Sequence, residues 1–222
     1  MKRRQTGFTL IEIAIVLVII GLLLGGVLKG QELITGARVR NLVQQQDGVK
    51  AAYFGFLDRY RALPGDYAGA VGTIANVSTA ACNGGNGNGN GQIATGDDEN
   101  TLAWEHLSKS GFISGTYVCA AAVSAATSPS NPYGQFLNIV FDGNYADATA
   151  SPSRHNLKTG AAVPSDILAE MDRKIDDGDA VHGSFRAQLL GGVAATTTDC
   201  YSAAGVWVAS PGGPNCGGAS LF

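Results

Sequence analysis

Charge, catalytic motifs and early proline are what this chain has little of. Charged residues make up 15 % of its 222 residues, where soluble domains average about 25 %. The deficit is concentrated at the N-terminus, so it marks a segment and not the whole chain. Lys and Arg number 15 against 18 Asp and Glu, a net charge of −3. That balance supplies no broad basic face, and no nucleic-acid partner is evident. The three histidines, His106, His155 and His182, share no spacing. There is no GxSxG, HExxH, Walker loop or Cys–His pair. Without a catalytic constellation, the expectation is a protein that is not an enzyme. No proline precedes Pro64.

Cysteine is sparse but even in number: Cys82, Cys119, Cys200 and Cys216. None forms a CxxC, and none has a histidine at metal-ligand spacing. All four lie beyond an apolar N-terminal segment. If that segment directs export, they are most simply two disulfides made in an oxidising compartment. Three pairings are possible. Cys82–Cys119 with Cys200–Cys216 is favoured, because nested or crossed pairings would join distant segments.

Residues 1–7 read MKRRQTG, with three basic residues and no apolar stretch. Residues 8–28 read FTLIEIAIVLVIIGLLLGGVL. Roughly 21 residues at 1.5 Å each suffice to cross a bilayer core. The basic leader should stay cytoplasmic, so the remainder is expected to be exported. An ordinary secretory signal would place its apolar region before a small-residue cleavage site. Here the short polar-to-apolar junction, Gly7–Phe8, comes first, and no A-x-A follows directly on Leu28, where the sequence continues KGQELITGARVR. An uncleaved anchor explains the apolar length but not Glu12, whose insertion costs a few kcal/mol.

GFTLIE followed by a long aliphatic run resembles the leader-peptidase site of type IV pilins and type II secretion pseudopilins. The resemblance is firm over about residues 1–40 and holds only in outline beyond them. It implies cleavage between Gly7 and Phe8, N-methylation of Phe8, and a helical filament built from packed N-terminal helices. Its implied partners are further copies of the chain, a prepilin peptidase and an inner-membrane assembly platform. The implied location is the inner membrane for the precursor, then an extracellular pilus or a periplasmic pseudopilus. The chemistry fits each position. Glycine at 7 lets the chain bend closely into a peptidase site. Cutting there leaves Phe8 with a positive α-amine in apolar surroundings, and Glu12 of a neighbouring copy supplies the opposite charge. Gly21/Gly25 and Gly26/Gly30 form two small-xxx-small patterns that let apolar helices approach closely. Each glycine also weakens the helix by about 1 kcal/mol relative to alanine, so this stretch is expected either to pack or to unwind. Many pilins of the type IVa class carry a proline just after it, where this chain has Lys29.

From Lys29 to Tyr60 the pattern becomes amphipathic. Leu42, Val49, Tyr53, Phe56, Leu57 and Tyr60 recur at steps of three, four and seven, and should pack under a globular head. The helix is expected to stop near Leu63, because Pro64 disfavours helix in the residue before it. The organisation read from the sequence is therefore a leader over 1–7, a long helix over 8–62 and a head over 63–222. LPGDY at 63–67 is a turn. A helix with Asn100 or Thr101 as its cap should carry LAWEHLSKSG. Strands are expected at Thr116–Ala121, Gln135–Phe141, Asn156–Ala162 and Gly183–Leu189, with a second helix at Ser165–Ile175. The tail reads as a loop with a short strand at Gly205–Ala209. The class is α+β, an antiparallel sheet laid on the long helix in the manner of the pilin fold. The Cys200–Cys216 loop resembles the C-terminal disulfide region of pilins.

NGNGNGQIATGD runs from Asn86 to Asp97. Asn86, Asn88 and Asn90 fall at positions 1, 3 and 5 of an EF-hand-like loop. Gly91 falls at position 6, the Gln92 carbonyl at 7 and Asp97 at 12, a spacing that wraps oxygens around calcium. The competing reading is a plain Gly/Asn turn. Asp176, Asp177 and Asp179 form a second acidic cluster at a helix C-terminus, where negative charge is unfavourable. The leading expectation is a structural subunit of a type IV pilus. A minor pilin or secretion pseudopilin is the alternative within the same machinery. A membrane-tethered extracytoplasmic binding module is the alternative of another class.

Overall fold

The computed structural model describes residues 10–189, 200–202, 204–208 and 215–222. They divide into two units between Arg38 and Val39. Helix α1, Leu10–Tyr60, runs through both. In the first unit its apolar side chains are exposed, Leu10 by 90 % and Leu22 by 76 %. This helix is long and apolar enough to cross a membrane. The helix continues unbroken through Gly21, Gly25, Gly26 and Gly30.

In the second unit one stripe of α1 turns inward. Val39, Leu42, Gln46, Val49, Ala52, Tyr53 and Phe56 are buried, at helical steps of three and four. Leu57 and Tyr60, expected on the same face, are half-buried. The helix ends at Tyr60, short of Leu63. Arg61 takes a left-handed φ of 54° while its N–H still reaches the Leu57 carbonyl at 2.9 Å, which closes the last turn.

Among the described residues the head adds the α-helices α2 (Ala70–Thr73), α3 (Glu99–Lys109) and α4 (Ser165–Ile175) and a 3-10 turn at Asn83–Gly85. Its strands are β1 (Asn138–Asp142), β2 (Arg154–Lys158), β3 (Val163–Pro164), β4 (Phe185–Ala187), β5 (Asn215–Cys216) and β6 (Gly218–Leu221). Four of them form an antiparallel sheet in the order β1-β2-β6-β4, and β3 pairs with β5. The architecture is α+β and consistent with a pilin fold. β6 pairs on both edges, Leu157 opposite Ser220 and Phe185 opposite Ser220. Gly218 is required there, because a Cβ would lie 2.2 Å from the Phe185 ring.

Several expected boundaries move. No strand forms at Thr116–Ala121; that stretch is irregular, and the Cys119 N–H goes to the Glu105 carboxylate instead of a ladder. Gln135–Phe141 shifts to β1. Asn156–Ala162 shifts back to β2, since Gly160 adopts φ 78° and a Cβ there would lie 2.7 Å from the Phe136 carbonyl oxygen. Gly183–Leu189 contracts to β4. At Gly205–Ala209, Val206 and Trp207 make isolated bridges to Asp179 and Tyr201; Ala209 lies outside the described residues. α3 starts at Glu99, with Asp98 as its cap residue at φ 58°. Asn100 and Thr101, the two expected caps, lie instead inside the helix, where the Thr101 hydroxyl donates to the Ala120 carbonyl at 2.8 Å.

Among the described residues, two large clusters and two small ones make the core of the head. Val39 and Leu42 join Val163, Leu168, Met171, Phe185, Trp207 and Cys216. Val49, Tyr53 and Phe56 join Ile93, Trp104, Leu107, Leu137, Ile139 and Leu157. His106 is fully buried beside the second cluster, its ring parallel to Phe56 at 6.1 Å. Its Nδ1 accepts the Gly65 N–H at 3.0 Å. Nε2 therefore carries the proton and donates to the Gly85 carbonyl at 3.0 Å.

Burial lowers the His106 pKa from 6.5 to about 4, against the pull of the Gly85 bond. The unfolded chain thus binds this proton first as pH falls. The stabilisation is whole above pH 6.5 and is lost on descent toward pH 4, on the order of 3 kcal/mol in total. Denaturant unfolding of the detergent-solubilised chain at pH 7.5 and 4.5 checks this. His106→Gln is expected to flatten the difference, and an unchanged slope would contradict it.

Candidate functional site

The N-terminal segment is the first candidate. Gly7 and Phe8 lie outside the described residues. Glu12 is on α1 and exposed. A Cβ added at Gly21, Gly25, Gly26 or Gly30 would meet nothing within 4 Å. No contact within the described chain therefore calls for glycine at these four positions. Polar character returns at Lys29, which pairs with Glu32 at 2.6 Å.

The asparagine–glycine loop is the second. Two buried acidic residues, Asp66 and Glu99, hold it by accepting backbone N–H groups, one on each oxygen, and a third, Glu105, does the same for segments outside the loop. Asp66 accepts from Asn90 at 3.0 Å and Gly91 at 2.8 Å. Glu99 accepts from Asn88 and Ala94, both at 3.0 Å. Glu105 accepts from Ser78 and Cys119, both at 2.7 Å. A long segment without regular structure must find partners for its amides, and these carboxylates supply them. Burial pushes the Glu99 carboxyl up, partly offset by its two N–H donors. Gly65 and Gly87 allow the close approach: a Cβ would lie 2.3 Å from the Glu99 carbonyl and 2.2 Å from Asp66.

The proposed calcium ligands are placed as follows. The Asn86 side-chain oxygen accepts the Val71 N–H at 3.0 Å. Asn88 accepts from Asn90 at 3.0 Å, and Asn90 accepts from Gln92 at 2.8 Å. The Asn88 amide donates to Asp97 Oδ2 at 2.9 Å. Each of these side-chain oxygens faces a donor within the chain: Asn88 and Asn90 bond the backbone two residues on, as local turn-formers do, and Asn86 reaches α2.

Both disulfides are present. Cys82–Cys119 has a Cα separation of 6.2 Å and Cys200–Cys216 one of 5.9 Å. The first ties the segment just before the asparagine–glycine loop to the segment after α3. The second ties the C-terminal segment to β5, next to the central strand β6.

Of the second acidic cluster, Asp176 and Asp177 come together with Asp172, which the sequence reading did not include. One carboxylate oxygen from each of the three lies within 4.8 Å of the others. Asp179 turns toward His182 Nδ1, at 2.8 Å. The signal that was available is spacing: Asp172, on α4, and Asp176, the residue that ends it, are four positions apart.

The family model of the prokaryotic N-terminal methylation motif matches residues 2–28. No curated protein and no solved structure matches the chain. The match spans Gly7, Phe8, Glu12 and the apolar run, and an exposed apolar helix of membrane-spanning length follows the basic leader. Residues 2–28 thus carry the prepilin leader signature of type IV pilins and pseudopilins, on a chain whose precursor is membrane-anchored.

Proposed function

We propose that this chain is a structural subunit of a type IV pilus filament and not an enzyme. A prepilin peptidase cuts between Gly7 and Phe8, and Phe8 is methylated on its new amine. The subunit then leaves the bilayer at an assembly platform, and its apolar helix packs among those of other copies. Glu12 neutralises the Phe8 amine of a neighbour and fixes axial register. Gly21, Gly25, Gly26 and Gly30 set close helix approach. The head, over 63–222, is then carried outside the cell.

The observation that carries this reading is the exposed apolar stripe of α1 on a prepilin-type leader. Such a surface needs lipid before assembly and other helices after it. Mass spectrometry of the protein from producing cells tests it. The expected N-terminus is methylated Phe8. A chain still starting at Met1, with no polymer in the cells, would overturn the reading. The 222-residue length favours a second reading, a minor pilin or secretion pseudopilin. Abundance in sheared filaments separates the two, since a major subunit dominates that fraction.

A further inference from the structure

All four Asn–Gly steps of the chain fall between Asn83 and Gly91. Such a step reacts with itself when the backbone allows it. The nitrogen after the asparagine attacks the side-chain Cγ, and glycine puts no side chain in the way. The proton of that nitrogen leaves with the side-chain amide as ammonia, and a five-membered imide remains. Water then opens the ring at either carbonyl, giving aspartate or β-linked isoaspartate. The attack needs a free backbone N–H and an asparagine side chain at liberty to turn back on it.

The fold denies both to three of the four steps. The Gly87 N–H donates to the Tyr67 carbonyl at 3.1 Å, and the Gly89 N–H to the Asp66 carbonyl at 3.0 Å. The Gly91 N–H donates to Asp66 Oδ2 at 2.8 Å. On the same steps, the side-chain oxygens of Asn86, Asn88 and Asn90 are held by the Val71, Asn90 and Gln92 N–H groups. Asn83–Gly84 differs on every count. Asn83 is exposed. Among the described residues, neither its side chain nor the Gly84 N–H has a hydrogen-bond partner. A Cβ built on Gly84 would meet nothing within 4 Å, so the space around the step is open.

We propose that Asn83 is a self-modifying site, where the folded chain converts asparagine to aspartate and isoaspartate as it ages, while Asp66 and Tyr67 guard the other three steps. Water is the only co-reactant. Each event places a new negative charge next to Cys82 of the Cys82–Cys119 bridge. The guard falls where conversion would do harm. The Asn88 amide donates to Asp97 Oδ2 at 2.9 Å, and an aspartate at 88 would set two carboxylates together instead.

The test incubates the full chain in detergent at mildly alkaline pH and follows each step by peptide mass spectrometry. Conversion reads as a gain of about 1 Da, with fragmentation to place it and an isoaspartate assay to confirm the β-linked product. Asn83 is expected to convert about tenfold faster or more than the other three, because a protected N–H must open before it reacts. In urea with reductant the four rates should converge. Asp66→Ala, which removes the acceptor of the Gly91 N–H, should speed Asn90 above Asn86. Equal rates at the four steps in the folded chain would overturn the proposal. So would an Asn83 still intact in the folded chain after the urea sample has converted. The wild-type comparison stands whether or not the Asp66 variant folds, and it is read without any filament.

Discussion

Glu12→Val is expected to cut sheared-filament yield about tenfold or more while leaving the leader removed. The argument begins with the amine, not the glutamate. On the proposed reading, cleavage after Gly7 would leave a positive group at the head of an aliphatic run, and packing such runs together would remove that group from water. Removing one partner of a buried pair costs about 3–5 kcal/mol, because the other is left uncompensated. At about 1.4 kcal/mol per tenfold change, each subunit contact would weaken by two orders of magnitude or more. Valine is also more apolar, so membrane insertion should not suffer. Glu12→Gln separates charge from shape: it keeps the size of the side chain and should assemble as poorly. Immunoblots of the sheared fraction, with the mass of the cell-associated protein, give both readings. Wild-type filament yield from either variant would count against charge pairing.

The long helix and its change of environment were legible because periodicity carries them. An apolar run without period became an exposed surface, and steps of three and four from Leu42 became the buried stripe. Gln46 escaped the reading: it is polar by type yet buried at 1 % exposure, and one residue does not break a period. α4 was visible at its full extent, since Pro164 and the run to Ile175 punctuate it. β6 was not. Its Gly218–Leu221 sequence has no β-branched residue, and its position in the sheet comes from pairing on both edges. The acidic residues show the same limit. Asp66, Glu99 and Glu105 look like solvated charges in sequence, but each collects two backbone amides once the loop folds over it. Asp172 was hidden likewise, because its partner Trp207 is 35 positions away.

Replacing Cys82 and Cys119 by serine is expected to destabilise the head by about 4 kcal/mol, the loop-entropy value for a 37-residue separation. For a chain of this size that is a fall in melting temperature of roughly 8–16 °C. The Cys200–Cys216 bridge spans 16 residues and should cost less, about 3 kcal/mol. The first bridge is not alone in joining its two segments. Glu105, fully buried on α3, accepts the Ser78 N–H on one oxygen and the Cys119 N–H on the other. The same two stretches are therefore closed once by sulfur and once by a carboxylate. Glu105→Gln keeps one acceptor and turns an amide donor toward the other N–H, at a cost of about 1–3 kcal/mol. Because both devices restrain one closure, their effects should not add. With the disulfide intact, the loss of Glu105 strains a loop that cannot open. With the serines in place, the same change frees residues 78–94 to leave α3, and the loss is larger than the sum. Urea unfolding of the two parents and the combined variant measures the coupling. Strict additivity would mean that the bridge and the glutamate hold separate parts of the head.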